Sequence, residues 1–155
     1  MDARFASIAV ASALHLFEEY VVPGGFLRWL RRAFPSGALG PLGAICVNVA
    51  FIALILSPLI SDPKLDPVFN ISIVVLVISN GALHFASSLV TTTYSPGVIT
   101  SVLLYFPIGA WALVTIAHDW RIDTEQLVAA SLLGVFWQVV PIAIMVVRGS
   151  LAGRQ

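Results

Sequence analysis

The chain has 155 residues, of which 59% are apolar and only 10% charged, against roughly 25% charged residues in soluble domains, so a water-soluble fold is not expected. Eight Lys and Arg balance eight Asp and Glu, which leaves no basic field to hold a nucleic-acid backbone. The single cysteine, Cys46, lies in an apolar run, so there is neither a disulfide framework nor a CxxC motif, and at this length one helical domain, residues 1–155, is expected.

Taken in chain order, five apolar stretches stand out: Ala3–Val22, Leu39–Ile60, Val68–Thr92, Gly97–Ala117 and Gln126–Val147. Each is close to the roughly 20 residues that cross a hydrocarbon core. The expected fold is therefore all-α, a polytopic membrane helix bundle of about five transmembrane helices. The breaks are marked by Pro23-Gly24-Gly25, Ser61-Asp62-Pro63, Tyr94-Ser95-Pro96-Gly97 and His118-Asp119-Trp120-Arg121. Pro107 and Pro141 fall inside the fourth and fifth stretches as candidate helix breaks. Ala11-Ser12-Ala13 has the look of a signal-peptide cleavage site, but the charged start is only Asp2 and Arg4 and the apolar part before it is short. A membrane span is the expectation there.

The first loop carries Phe26-Leu27-Arg28-Trp29-Leu30-Arg31-Arg32-Ala33-Phe34. This suits a short helix lying in the interface; the plainer alternative is a basic loop with an anchoring Trp. With five crossings, Arg28, Arg31, Arg32, Arg148 and Arg154 share one side while Arg4, Lys64 and Arg121 share the other. The positive-inside rule then places the C-terminus in the cytoplasm, with the plasma membrane as the expected location.

Nearly all charges fall in loops or at helix ends, and Glu18 and Glu19 do not. An ionisable group at membrane depth costs roughly 2.5–3.5 kcal/mol on insertion scales and usually faces the bundle interior for a functional reason. His15 precedes the two acids by three and four positions, which stacks all three on one helix stripe. At 100° per residue Glu18 and Glu19 straddle the His15 direction at about −60° and +40°, so Glu19 is the expected closer partner of His15, with Glu18 reaching Asn48 or Tyr105. The third stretch has Asn80 and His84 four apart, with Ser87 and Thr91 continuing the face. First and third stretches run parallel, and His15 and His84 sit at comparable depth, so one shared site is expected. Asn48, Thr100, Ser101, Tyr105, Trp137 and Gln138 fall in the same half of the membrane. Each can line the site or simply join two helices by a hydrogen bond.

His15-Leu16-Phe17-Glu18-Glu19 resembles the signature of the HXXEE-motif family of small integral membrane proteins, with Asn80-Gly81-Ala82-Leu83-His84 and Tyr94-Ser95-Pro96-Gly97 similar to its later features. The resemblance extends over most of the chain. It implies a shared site and supplies no reaction, because the family has no assigned function.

Three readings of the site follow from its residue types. In the first, His15, His84 and a glutamate, Glu18 or Glu19, ligate Zn2+ or Fe2+ and leave an open position, while the other glutamate is the general base. In the second, a metal-free carboxyl pair shares one proton and performs acid–base isomerisation, cyclisation or hydration of an isoprenoid or sterol-like molecule. Tyr105, Phe106 and Trp137 would then line the pocket and stabilise positive charge. The third is a structural network, a proton or metal-ion pathway, or a subunit that holds a partner. The first leads, as a membrane-embedded enzyme acting on a lipophilic small molecule from the bilayer, with Asn48, Asn80, Tyr94, Tyr105, Trp137 and Gln138 as candidate substrate contacts. A homo-oligomer is left open. No Gly-rich phosphate loop, and hence no nucleotide cofactor, is indicated. His118 and the tyrosines Tyr20 and Tyr94 also have bland readings, as a solvated loop residue and as headgroup anchors. Gly81, Gly109 and Gly134 are expected to be packing contacts.

Overall fold

The computed structural model describes residues 2–21, 25–33, 35 and 40–152. The expected limits at Val22, Phe34 and Leu39, the Pro23-Gly24 break and the orientation residue Arg154 lie outside the described residues. The described chain is all helix: α1 (Ala3–Val21), α2 (Phe26–Ala33), α3 (Pro41–Ile60), α4 (Pro67–Thr91), α5 (Val98–Thr100), a π-helical segment (Ser101–Tyr105), α6 (Phe106–Asp119) and α7 (Thr124–Ala152). The three middle pieces, α5 to α6, form one rod of 22 residues, Val98–Asp119. Four helices are long and apolar enough to cross a membrane, namely α3, α4, this rod and α7; α1 qualifies only together with α2, as a bent pair. The reason is in the sequence of α1, where Arg4, Glu18 and Glu19 fall within a single span length.

Helix ends follow local chemistry. Asp66 caps α4, its side chain accepting from Phe69 N–H at 3.0 Å, and Pro67 supplies the first turn. Thr92 closes the same helix in the left-handed region, its N–H donating to Leu89 O. The two candidate breaks behave differently. Pro141 lies inside α7 without ending it, because an α-helix in lipid must keep its backbone groups paired and the loss of one N–H is the smaller cost. Pro107 is the second residue of α6, in the first turn after the π-helical segment; it lacks the N–H that a regular turn would direct to Leu103, which frees this stretch to take the wider winding.

Side chains sort by face. On α1 the residues Phe5, Ile8, Ala11, Ser12, His15 and Glu19 are buried, whereas Val10, Leu14, Phe17 and Val21 are exposed. A similar apolar exterior covers α3 and α7, for example Leu42, Val49, Leu132 and Val146, a surface that suits acyl chains and would be a liability in water. The core is Phe5 and Ile8 of α1, Ile71 and Val74 of α4, Ile116 of α6 and Ala130 of α7. At one end Arg4 pairs with Asp2 at 2.6 Å and with Asp119 at 2.8 Å, and lies over the Trp120 ring. The Arg4 bond holds the Asp2 carboxyl below its usual range. This pairing sets the start of α1 beside the end of α6, so the opposite end of α1 meets the start of α5, where the ionisable cluster lies.

α7 approaches α4 through glycine. A Cβ on Gly134 would fall 2.6 Å from Ser72 O and 2.6 Å from Val75 Cβ, while one on Gly109 would meet the Ile78 side chain at 2.6 Å. Backbone cannot yield as a side chain can. Alanine at Gly134 should therefore destabilise the fold by about 1–3 kcal/mol of overpacking, more than the roughly 1 kcal/mol of helix propensity that it gains, and Gly109→Ala should cost less. Thermal unfolding of both variants in detergent micelles checks the order.

Candidate functional site

His15 and Glu19 of α1 and His84 of α4 meet inside the bundle at 1%, 6% and 6% exposure. The two imidazoles lie edge to face, with centroids 4.8 Å apart. Glu19 Oε1 stands 3.1 Å from His84 Nε2 and 3.7 Å from His15 Nε2. One ligand-type atom from each residue falls within a 4.8 Å spread. This is the arrangement expected from helical spacing, with Glu19 on the His15 side of the stripe. Each ring is held from behind by a hydroxyl: His15 Nδ1 is 2.9 Å from Thr100 Oγ1, and His84 Nδ1 is 3.3 Å from Ser95 Oγ. Tyr105 stacks on His15 at 4.4 Å, and Phe26 of α2 lies 5.5 Å from His84.

Glu18 behaves differently from the expectation. Among the described hydrogen bonds it has none to Asn48 or Tyr105 and turns to the segment that opens α5. Its carboxylate accepts from Tyr94 OH at 2.6 Å, Ile99 N–H at 3.1 Å, Thr100 N–H at 2.7 Å and Thr100 Oγ1–H at 2.6 Å. The two amides are donors that a helix start leaves unpaired, so an anion there satisfies both partners. Tyr94 is thus bonded through its hydroxyl, and burial together with the Glu18 carboxylate holds its phenol above the usual value. Asn48 instead donates to the Tyr20 hydroxyl and to Ala44 O, and Tyr105 meets the site through its ring face. Asn80 lies one turn from His84 but donates to Gln138 of α7 at 3.4 Å, and Trp137 packs on Phe136. Among the described contacts neither Gln138 nor Trp137 reaches the histidines. His118 is a solvated loop-side residue with an 88% exposed side chain.

Sequence reasoning gave Gly97 no more than a place in a turn. It has φ +101°, and a Cβ there would lie 2.7 Å from His15 Cε1 and 3.0 Å from His84 Cε1 and Nδ1. The turn backbone is packed directly against both imidazoles. The sequence signal was the Tyr94-Ser95-Pro96-Gly97 turn, read as a break between stretches and as a likeness to a family feature. Of the hydroxyls that hold the rings, Thr100 was among the residues expected at this depth, whereas Ser95 was read only as part of the turn.

Two outcomes follow. Gly97→Ala combines a left-handed backbone with a clash on two buried rings and should destabilise the protein by on the order of 1–3 kcal/mol, read as a fall in Tm in micelles. Glu18→Gln and Glu19→Gln should separate: the Glu18 amide would set an NH2 against donors and lower Tm, while Glu19→Gln should leave Tm closer to wild type. Equal, small shifts would mean that the two acids form a generic polar patch.

Comparison with curated proteins and with solved structures finds no match. The model of one family, described as protein of unknown function with HXXEE motif, matches residues 6–112. That span takes in all but the first three residues of α1 and runs into α6, and so includes every residue of the cluster and of the turn packed on it. With His15-Leu16-Phe17-Glu18-Glu19 as its motif, the chain belongs to the HXXEE-motif family of proteins of unknown function.

Proposed function

We propose that the protein is a membrane-embedded enzyme acting on a lipophilic small molecule, with a divalent transition-metal centre held by His15, Glu19 and His84. The observation that carries this reading is that His15 Nε2 is buried without a hydrogen-bond partner while facing a carboxylate and a second imidazole nitrogen. An orphaned buried polar atom costs about 1–3 kcal/mol. A cation shared by the three ligands offsets that cost and neutralises the buried charge. Two imidazoles and one carboxylate suit Zn2+ or Fe2+ and leave room for a further ligand. Such an ion, when bound, supplies a Lewis acid and lowers the pKa of a coordinated water.

The chain's own residues divide the remaining work. Glu18, with four donors on its carboxylate, secures the α5 turn against α1. Tyr105 and Phe26 supply apolar walls on either ring. Substrate entry from the bilayer is supported by the apolar outer face of α1, where Val10, Leu14 and Phe17 are exposed on the helix that carries His15 and Glu19. A cleft of about 390 Å3 between Trp29, Arg32, Thr91 and Tyr94 opens at the same end and suits a polar headgroup.

A second reading is a metal-free acid–base site for an isoprenoid or sterol-like substrate. The 3.1 Å contact between His84 Nε2 and Glu19 favours it, since that pair alone can share a proton. Metal content separates the two. Protein purified without chelator should hold close to one equivalent of Zn or Fe, lost in His84→Ala and His15→Ala, and its Tm should rise with added ion. Wild-type protein without metal, whose Tm responds neither to Zn2+ nor to chelator, would overturn the metal reading in favour of the acid–base one.

A further inference from the structure

The first glutamate of the motif, Glu18, stands one hydroxyl away from His15. Thr100 Oγ1 is 2.6 Å from Glu18 Oε2, 2.9 Å from His15 Nδ1 and 3.2 Å from Gly97 O. A hydroxyl has one hydrogen to give and two lone pairs with which to accept. Three other donors already face the Glu18 carboxylate, from Tyr94, Ile99 and the Thr100 amide, and an ionised carboxylate, which only accepts, is the form that can serve all four. The Thr100 proton therefore goes to Glu18, its shortest and charge-assisted partner. The oxygen is left to accept, and among the described residues the donor that faces it is His15 Nδ1.

We propose that Glu18, acting through the Thr100 hydroxyl, holds His15 in the Nδ1–H tautomer, which makes Glu18 and Thr100 positioning residues for His15 Nε2. In a neutral imidazole with hydrogen on Nδ1, Nε2 carries a bare lone pair. This accounts for the missing hydrogen bond at His15 Nε2: a lone pair opposite a carboxylate oxygen at 3.7 Å cannot be satisfied by it. The two histidines are consequently unlike. Among the described residues no carboxylate stands behind Ser95, so in the metal-free protein the hydroxyl there is free to donate to His84 Nδ1, and His84 Nε2–H then donates to Glu19 at 3.1 Å; an ion held at Nε2 would take the other tautomer, with Nδ1–H donating to Ser95. The motif spacing has a division of labour: the acid four residues on faces the histidine directly, and the acid three residues on reaches it from behind through the neighbouring helix. A hydrogen-bonded partner on the far nitrogen is what orients an imidazole ligand and fixes its tautomer.

The tautomer itself stands apart from the metal reading, and only its use as a ligand rests on that reading. The test is nitrogen-15 NMR of histidine-labelled full-length protein in micelles after chelation, with His15 assigned from His15→Gln. The expected spectrum has His15 Nδ1 at the protonated position and Nε2 at the bare one. Thr100→Ser should preserve this pattern, and Thr100→Val should shift it toward the Nε2–H form. Protonated Nε2 in wild type and in Thr100→Ser would overturn the proposal, as would a wild-type pattern in a folded Thr100→Val. Should Thr100→Val not fold, wild type and Thr100→Ser still decide the tautomer. Co2+ titration of the same samples addresses the ligand role: Thr100→Val should bind about 10–100-fold more weakly than wild type, whereas no Co2+ binding by wild type would fail the metal reading and leave the tautomer standing.

Discussion

Two carboxylates and two imidazoles buried in an apolar bundle must find partners within the protein, because a buried polar or charged group left without a partner is costly. Most of this structure's peculiarities near the cluster answer to that requirement. Glu18 takes two unpaired amides and two hydroxyls from the Tyr94–Thr100 segment. The histidines take Ser95 and Thr100 behind them and Glu19 between them. A segment that would otherwise be a plain connection between two crossings is thereby drawn into the bundle as the back wall of the site.

That segment has to approach closely, and its shape follows. Gly97 takes a left-handed backbone that lets the turn lie directly on both rings. Immediately after it the chain winds as a π-helix over Ser101–Tyr105 before Pro107 returns it to α-geometry. The wider turn carries Tyr105 onto the face of His15, where the phenol ring is wholly buried. Single-turn π segments are frequent at functional sites, and here the local winding and the placement of one aromatic ring are the same event.

The paired glutamates of the motif, adjacent in sequence, serve unlike surroundings. One is saturated with donors and ties helices together; the other has histidine nitrogens for neighbours. At helical spacing two consecutive residues are about 100° apart, enough for one to face a neighbouring helix start and the other the bundle axis. An HXXEE motif thus supplies both a ligand-type carboxylate and its structural support from one turn of helix, which is economical in a chain this short.

Composition alone was sufficient to determine the class of molecule. So few charges, together with stretches long and apolar enough to span a bilayer, favour an all-helical bundle with an apolar exterior. Helical periodicity placed His15 with Glu19, and matched depth brought His84 to them. These are properties of one helix or of two parallel helices, computable from spacing. The partners of Glu18, the role of Gly97, the diversion of Asn80 to Gln138 and the separation of Trp137 from the histidines were decided by tertiary structure. Each depends on which helix lies beside which and at what rotation, and that is settled by close-packing contacts such as Gly134 on Ser72 and by the Arg4–Asp119 pair. Interactions between distant segments leave no period in the sequence, so the histidine–glutamate stripe was legible and the turn that completes it was not.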